Sequence, residues 1–379
     1  MHDFLKEWGP AVVTALVILI LIAMIKAVAP MIKSGVLGTL TKWSGIVDSM
    51  TNNNGEFPEE KEYGADITFG TYISNFPELM INPEMKTSGD ITIPGEVKLA
   101  EDNRWSEYDG KWHKITKIGN GPFYDNIYHD ITSVTIEDGI EEIGFNAFNN
   151  SRIFSSLKSV TMADSVKKIG DTAFSLTSDS YSKLASVKLS NNLEYIGSQA
   201  FSHAGLKTIT IPASVKTMDS QTFYASALEN VVFEGATNVP YGCFDYCRNL
   251  KSVTLGEGTV EIGDYAFNQC TNLETINIPN SITSIKSNAF DGTAIQSFLY
   301  PDNITNPNVA FSGCDKLTYI KLPDNMEVFS NILYCNNLSS IEYKGVVYTT
   351  NSELRNALES NGVTININPT EKLIYYMAD

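Results

Sequence analysis

The side chains best suited to chemistry in this sequence are five cysteines and four histidines. Cys243 and Cys247 lie four residues apart, a spacing that a metal site can use when further Cys or His ligands are close. The histidines are widely separated from each other and from this pair: His2, His113, His129 and His203. Cys243 also stands where other segments carry alanine. Core packing therefore explains this pair better than metal binding does.

The local motifs of common enzyme classes are missing from the sequence. It has no HExxH, GxSxG, Walker loop or CxxC pair. The stretch GEGTVEIG at Gly256 resembles a glycine loop but lacks the helix that should follow. Adjacent acids such as Glu141 and Glu142 are explained by solvated turns. We predict a protein that is not an enzyme and has no catalytic residues, cofactor or metal.

Charge and cysteine usage exclude two further classes of protein: those that bind nucleic acid and those held together by a disulfide framework. The net charge is −17, and the first 50 residues carry +1, so the remainder carries −18. A body this acidic repels nucleic acid, and we predict no nucleic-acid partner. Five cysteines among 379 residues are too few for a disulfide framework.

One apolar pattern recurs through most of the chain. The stretch AFNQCTNLETINIPNSITSIKSNAF, residues 266–290, begins and ends on Ala-Phe. Within it, Leu273, Ile276 and Ile278 follow the spacing apolar-x-x-apolar-x-apolar, whose end alternates as a half-buried strand does. Proline often follows and ends the strand, because it cannot donate a ladder hydrogen bond. The landmark phenylalanines recur every 21–27 residues, at Phe123, Phe148, Phe174, Phe201, Phe223, Phe244, Phe267, Phe290 and Phe311.

This period predicts a solenoid, since one turn of about 23 residues cannot bury enough apolar surface to fold alone. Turns of 20–29 residues are typical of leucine-rich repeats. Cys247, Cys270 and Cys314 each lie three residues after a landmark phenylalanine, and Cys335 is expected to do so in a degenerate last turn. We interpret them as buried thiols, with a disulfide between neighbouring turns as the alternative.

The repeat resembles the BspA-like leucine-rich repeat of bacterial surface proteins, in which Ala-Phe, a Cys, Leu-x-x-Ile-x-Ile-Pro and an Ile-Gly element follow one another. The Ile-Gly element is matched at Ile143-Gly144, Ile169-Gly170, Ile196-Gly197 and Ile262-Gly263, whereas Met218-Asp219, Val239-Pro240 and Ile285-Lys286 depart from it. The resemblance covers about residues 115–367. It implies a surface adhesin or protein-binding ectodomain, and therefore binding rather than catalysis.

The N-terminal segment is apolar and uncharged from Ala11 to Ile25. Its length predicts a single-pass membrane anchor over residues 10–32. A cleaved signal peptide is the alternative, but Pro30 is a poor residue after the small-residue site that precedes it. Lysines after the span favour a cytoplasmic body, whereas long domains often translocate regardless of charge. We predict a cell-membrane protein with an extracellular repeat domain.

The same segment has features of helix association. Small residues at positions 11, 15, 23 and 27 allow close helix contact in a membrane, and an apolar stripe continues from Ile32 to Met50. These features indicate either self-association, as in pilin-like subunits, or a lone anchor with an interfacial extension. A homo-oligomer through this helix is one predicted partner.

The predicted fold is mostly β, a leucine-rich-repeat solenoid with a parallel concave sheet, capped by hairpins and a C-terminal helix and preceded by a long hydrophobic helix. We divide it into 1–50 (transmembrane and amphipathic helix), 51–65 (linker), 66–122 (N-terminal β cap), 123–343 (repeats) and 344–379 (C-terminal cap and tail). A hairpin turn is expected at Asp109-Gly110, another within IEYKGVVYTT, and a helix N-capped by Asn351 or Ser352 and ended by Gly362.

The remaining candidate for function is the outward side of the strands. Most of it is rich in Ser and Thr and reads as a solvated sheet. Leu299, Tyr319 and Lys321 form an apolar and aromatic exception near one end. The full candidate binding face is Leu299, Tyr319, Lys321, Asn277, Val232, Lys188 and Glu342.

These features predict a membrane-anchored bacterial surface protein that binds a macromolecule of a host or neighbouring cell. A protein partner is favoured over a glycan. The alternative is a pilin-like structural subunit that assembles through its N-terminal helix and displays the solenoid.

Overall fold

The structure of the chain is a computed structural model that describes residues 67–69, 89–98, 112–120, 130–149, 156–176, 182–304, 307, 310–329 and 333–379. They belong to the compact unit Tyr63–Asp379. The predicted N-terminal helix over 1–50, which includes the anchor over 10–32, lies outside these residues. The linker 51–65, the Asp109-Gly110 turn and Phe123 also lie outside them. Within them, no helix has the length and apolar character needed to cross a membrane.

Short strands dominate the described chain, because each turn contributes one β-branched segment and one Ile-containing pair. The helix α1 (Asn351–Ser360) lies between the last two strands. The strands are β1 (Ile67–Phe69), β2 (Gly89–Ile93), β3 (Glu96–Lys98), β4 (Trp112–Ile118), β5 (Ile131–Ile136), β6 (Glu142–Ile143), β7 (Ser159–Met162), β8 (Lys168–Ile169), β9 (Ser186–Lys188), β10 (Tyr195–Ile196), β11 (Thr208–Ile211), β12 (Thr217–Met218), β13 (Asn230–Phe233), β14 (Ser252–Thr254), β15 (Glu261–Ile262), β16 (Thr275–Ile276), β17 (Ser284–Ile285), β18 (Ser297–Leu299), β19 (Tyr319–Lys321), β20 (Val328–Phe329), β21 (Ser340–Tyr343), β22 (Val346–Tyr348) and β23 (Thr364–Ile365).

These strands form two parallel ladders that run from turn to turn. The first ladder consists of three four-stranded sheets, ordered β2-β5-β7-β9, β11-β13-β14-β16 and β18-β19-β21-β22. The second ladder consists of β1-β4-β6-β8-β10-β12, β15-β17 and β20-β23. All of these pairs are parallel except β21 with β22, and β3 also pairs antiparallel with β4. The predicted solenoid, built from about eight turns, is confirmed.

The landmark phenylalanines form a third side, which we call the phenylalanine column. From Phe148 to Phe290, the backbone N–H of each landmark phenylalanine donates to the carbonyl of the residue before the next one, as Phe244 does to Ala266 O at 2.8 Å. Eight rings, from Phe148 to Phe311, stack in sequence with centroids 5.0–5.4 Å apart and interplanar angles of 1–14°. Because one turn's ring covers the next, the core is continuous along the repeats.

The corners beside the column use left-handed backbone. Among the described residues, the one two before the phenylalanine has positive φ in seven turns: Asn146, Thr172, Gln199, Gln221, Gly242, Tyr265 and Asn288. The residue two after it does so in six: His203, Ala225, Tyr246, Gln269, Gly292 and Gly313. Glycine and asparagine adopt this conformation at the lowest cost, so the other side chains at these corners are held there by the surrounding ladder.

The Ile-Gly elements exist because successive turns approach closely. A Cβ added to Gly170 would lie 2.8 Å from the Gly144 carbonyl carbon, and one added to Gly263 would lie 2.8 Å from the carbonyl carbon of Pro240. The five cysteines are free and buried. Cys247 donates its thiol to Phe223 O at 3.1 Å, and other turns repeat this contact, so the described structure has the buried thiols and not the alternative disulfide.

The C-terminal end closes the core largely as predicted. The β21–β22 hairpin turns through Lys344 and Gly345, both with positive φ, and β23 adds a last strand beside β20. The predicted N-cap of α1 was wrong by one residue. Thr350 is the cap, because its hydroxyl accepts from Glu353 N, whereas the Asn351 side chain binds the tail. Gly362, with φ +79°, ends the helix as expected.

Candidate functional site

The first ladder positions the predicted binding face. In the register of β18, β19 and β21, Leu299 lies beside Lys321, which lies beside Glu342. Ser297, Tyr319 and Ser340 are neighbours in the same way. Residues at alternate positions point to the same side of a strand, so all four predicted side chains lie together. We call the set of Leu299, Tyr319, Lys321 and Glu342 the β18–β21 patch.

The β18–β21 patch combines apolar, aromatic and charged groups. Leu299 is 56% exposed, although the strand residue before it, Phe298, is buried in the core. Lys321 lies between Leu299 and Glu342 in register, so opposite charges occupy adjacent strands. The patch therefore presents one exposed apolar side chain beside paired polar groups.

Tyr319 is fixed by a hydrogen bond within the patch. Its hydroxyl donates to the carboxylate Oε2 of Glu342. This bond to a negative acceptor, with burial and the charge of Glu342 adding to it, raises the pKa of Tyr319 to about 12. The phenol is therefore neutral at physiological pH, and its ring is held against the sheet.

The other three predicted residues lie on separate parts of the ladder. Lys188 ends β9, and Val232 lies on β13 between Thr210 and Thr254 with 41% of its surface exposed. Asn277 follows β16, and its amide group is used structurally: Oδ1 accepts from Leu255 N at 2.6 Å and Nδ2 donates to Leu255 O at 3.0 Å. The structure does not bring these three residues into the β18–β21 patch.

A second exposed surface was missed by the sequence reasoning, which considered only the strands. It lies on the turns of the phenylalanine column and consists of Tyr224, Tyr241, Tyr246, Tyr265 and Arg248; we call it the tyrosine surface. The tyrosines lie within three residues of a landmark phenylalanine, and this spacing is a signal that the sequence does contain.

The rings of the tyrosine surface contact each other across turns. Tyr224 and Tyr246 have centroids 6.0 Å apart, and Arg248 lies 5.5 Å from the Tyr246 centroid in a cation–π arrangement. Tyr241 and Tyr265 form a second pair, T-shaped, at 5.8 Å. Two pairs of rings thus extend over consecutive turns.

The described side chains give little scope for metal or thiol chemistry. Within the described ranges, no three His, Cys, Asp or Glu residues are placed to share a metal ion. Burial raises the pKa of Cys247 to about 12 and that of Cys243 and Cys270 well above the ordinary range. These thiols are therefore neutral and enclosed, which suits packing rather than nucleophilic attack.

Comparison with known proteins agrees with this architecture. A family model described as BspA type leucine rich repeat region, in six copies, matches residues 116–251 and 237–354. No curated protein matches the chain.

Solved bacterial structures are also similar to the chain. A leucine-rich repeat protein from Bacteroides ovatus is 24% identical, with 69% of this chain and 73% of that one covered and a TM-score of 0.49. A leucine rich cell surface protein from Faecalibacterium prausnitzii is 22% identical, with coverage of 75% and 92% and a TM-score of 0.33. The pneumococcal vaccine antigen PcpA is 21% identical, with coverage of 76% and 91% and a TM-score of 0.38.

The family model covers more than half of the chain, and its repeats coincide with the turns that carry the phenylalanine column. The chain therefore belongs to the BspA-type leucine-rich repeat family.

Proposed function

We propose that the chain is a membrane-anchored bacterial surface protein whose repeats bind a protein partner, without catalysis, through the β18–β21 patch. The observation that carries this proposal is the exposure of Leu299 beside Lys321 on a face that is rich in Ser and Thr. Exposed apolar side chains on a rigid scaffold are typical centres of protein interfaces.

The geometry of the patch supports a protein partner over a glycan there. The Tyr319 ring is already fixed by Glu342, so binding does not have to order it. Leu299 offers an aliphatic contact that a partner's apolar side chain can cover. Lys321 and Glu342 supply charges of both signs at the margin, which select register and orientation more than they add affinity.

Anchoring and an extracellular position are proposed from the sequence of residues 10–32. The 15 uncharged residues from Ala11 to Ile25 form the centre of the span. Protease added to intact cells tests this part: digestion of the repeats without lysis supports an outside body, and protection until lysis contradicts it.

Binding is tested with cells that express the full chain and are placed on immobilised extracellular matrix proteins. We expect Leu299→Asp and Lys321→Glu to reduce attachment at least tenfold. Val232→Asp is the matched control, because it introduces the same charge at an exposed apolar position on the same ladder. Equal loss in all three variants, or in none, would contradict the assignment of the β18–β21 patch.

A pilin-like structural subunit is the second candidate, motivated by the small residues at positions 11, 15, 23 and 27. In this case the N-terminal helices assemble and the repeats are displayed. The mass of the detergent-extracted chain separates the two: a monomer that retains its binding argues against assembly, whereas a defined oligomer that dissociates when Ala15 and Ala23 become leucine supports it.

A further inference from the structure

We propose that the tyrosine surface is a second binding site and that it binds a neutral glycan chain. It lies on the turns of the phenylalanine column and shares no residue with the β18–β21 patch. The two surfaces therefore make separate predictions.

The first argument is that the fold does not require these rings. Tyr246 and Tyr265 occupy left-handed corners, with φ of 60° and 57°. A bulky residue adopts this conformation at a cost in free energy, and the equivalent corners in other turns carry smaller residues, among them Gly242, Gly292 and Asn288, which adopt it most readily. Both tyrosines are 38% exposed, so burial offsets only part of this cost. A role at the surface explains why tyrosine is present.

The second argument is the arrangement of the rings. Tyr241 and Tyr265 meet edge to face, and Tyr224 and Tyr246 are tilted at 57°, so they do not merge into one flat apolar patch. Tyr241 is 51% exposed. Each pair bridges adjacent turns, so ring surfaces follow one another along the solenoid. Such a series suits a chain of similar units, each with an apolar C–H face that packs on a ring.

The third argument is the polar content of the same corners and turns. Asn268 Nδ2 donates to Asp245 Oδ1 at 2.8 Å, and Gln199 Nε2 donates to Gln221 Oε1 at 2.8 Å. These groups are partly buried and held by one another, which leaves further donor and acceptor sites on the same amides and carboxylate. Sugar hydroxyls both donate and accept, so they match such groups better than an aliphatic protein surface does.

Charge and composition select a neutral glycan. None of the large exposed aliphatic side chains among the described residues lies on these turns: Val232 and Leu299 are on first-ladder strands, Val260 precedes β15, and Val346 and Val347 are on β22. The turns that carry the tyrosine surface also carry the acidic residues Asp245 and Asp264 in addition to Arg248. The chain as a whole carries −17, so a sulfated or uronic-acid polymer is repelled.

The test uses the full chain in detergent and titrates it calorimetrically with cellohexaose, xylohexaose, mannohexaose and maltohexaose, with heparin as the acidic comparison. We expect at least one neutral hexasaccharide to bind. The double variant Tyr246→Asn, Tyr265→Asn should weaken that binding at least tenfold. Asparagine already occupies such corners, so this variant should fold as stably as the wild type, and its thermal unfolding verifies this.

Two controls separate the alternatives. Tyr375→Asn with Tyr376→Asn removes two exposed tyrosines elsewhere and should leave glycan binding unchanged, as should Leu299→Asp. No binding of any neutral oligosaccharide by the wild type, binding of heparin alone, or unchanged binding by the Tyr246/Tyr265 variant would each overturn the proposal. The proposal would also be overturned if the wild type bound no glycan and the Tyr246/Tyr265 variant lost binding of a protein partner instead.

Discussion

The hydroxyl of Tyr319 donates a hydrogen bond to the carboxylate of Glu342, which lies two positions beyond Ser340, the residue that faces Tyr319 in register. The contact is therefore diagonal and crosses from β19 to β21. It fixes the aromatic ring at the centre of the β18–β21 patch before any partner binds.

This contact predicts the titration of Tyr319. The bond to Glu342 stabilises the neutral phenol, so the folded pKa of about 12 exceeds the ordinary value of 10. Its contribution to stability is present below pH 10 and is lost as the pH rises through 12. The difference in absorbance at phenolate wavelengths between wild type and Tyr319→Phe isolates this titration. Glu342→Gln should return the midpoint towards 10, and an unchanged midpoint would show that the carboxylate has no influence.

The phenylalanine column predicts a large loss of stability on truncation. The Phe267 ring lies 5.3 Å from that of Phe244 and 5.4 Å from that of Phe290, and it is completely buried. We expect Phe267→Ala to cost about 3–5 kcal/mol in the free energy of unfolding, because it leaves a cavity between two turns. Phe145→Ala, at a ring that is 50% exposed, should change it by less than about 0.5 kcal/mol. Equal denaturation midpoints for the two variants would contradict the stacking.

The close approach of successive turns predicts that adding a single methyl group at Gly170 destabilises the fold. An added Cβ would lie 2.9 Å from the Phe145 backbone nitrogen, and backbone cannot easily move away. We expect Gly170→Ala to cost roughly 1–3 kcal/mol in chemical denaturation. Lys286 occupies the equivalent position in its own turn, and Lys286→Ala should have little effect although it removes an exposed ion pair with Glu261. A destabilisation confined to Lys286→Ala would show that turn spacing is not the cause.

The burial of the thiols predicts their reactivity. All five cysteines are inaccessible, and the pKa of Cys247 is raised to about 12 by burial. In the native chain at pH 8, a chromogenic disulfide reagent should therefore react with none of the five during the time in which a free thiol reacts completely. In denaturant the same titration should give five equivalents. A titre of three would instead indicate a disulfide.

The repeat architecture was predictable because its determinants are local and recur. Phe267 and Cys270 are fixed relative to each other within one turn, and repetition places each beside its counterpart in the next turn. Pro279 and the Lys344-Gly345 turn likewise act through their own backbone preferences. No information from distant segments is needed for these elements.

The errors arose where a distant segment competes for a side chain. Asn351 was predicted as an N-cap, but its amide binds the backbone of Ile374, Met377 and Ala378 at 3.0–3.1 Å, and Thr350 caps the helix instead. The packing of the tail, which contains Ile374, Met377 and Ala378, against α1 is a tertiary contact. The sequence of α1 alone does not predict it.

The candidate sites show the same division. Register predicted that Leu299 and Lys321 are neighbours, because alternation and period suffice. Tyr241 and Tyr265 occupy different positions in their turns, three and two residues before the landmark phenylalanine, so the repeat period alone does not place their rings in contact. Asn277 was selected for its outward position, whereas its amide completes a hydrogen-bond ladder that β16 is too short to continue.

The nearly parallel rings of the phenylalanine column give each pair of neighbouring turns the same aromatic contact in the core, from Phe148 to Phe311. A gene that duplicates or deletes one whole repeat therefore creates a junction of the kind already present, without a new core to optimise. The length of the repeat array can thus evolve by copy number alone, while the ends of the array stay unchanged.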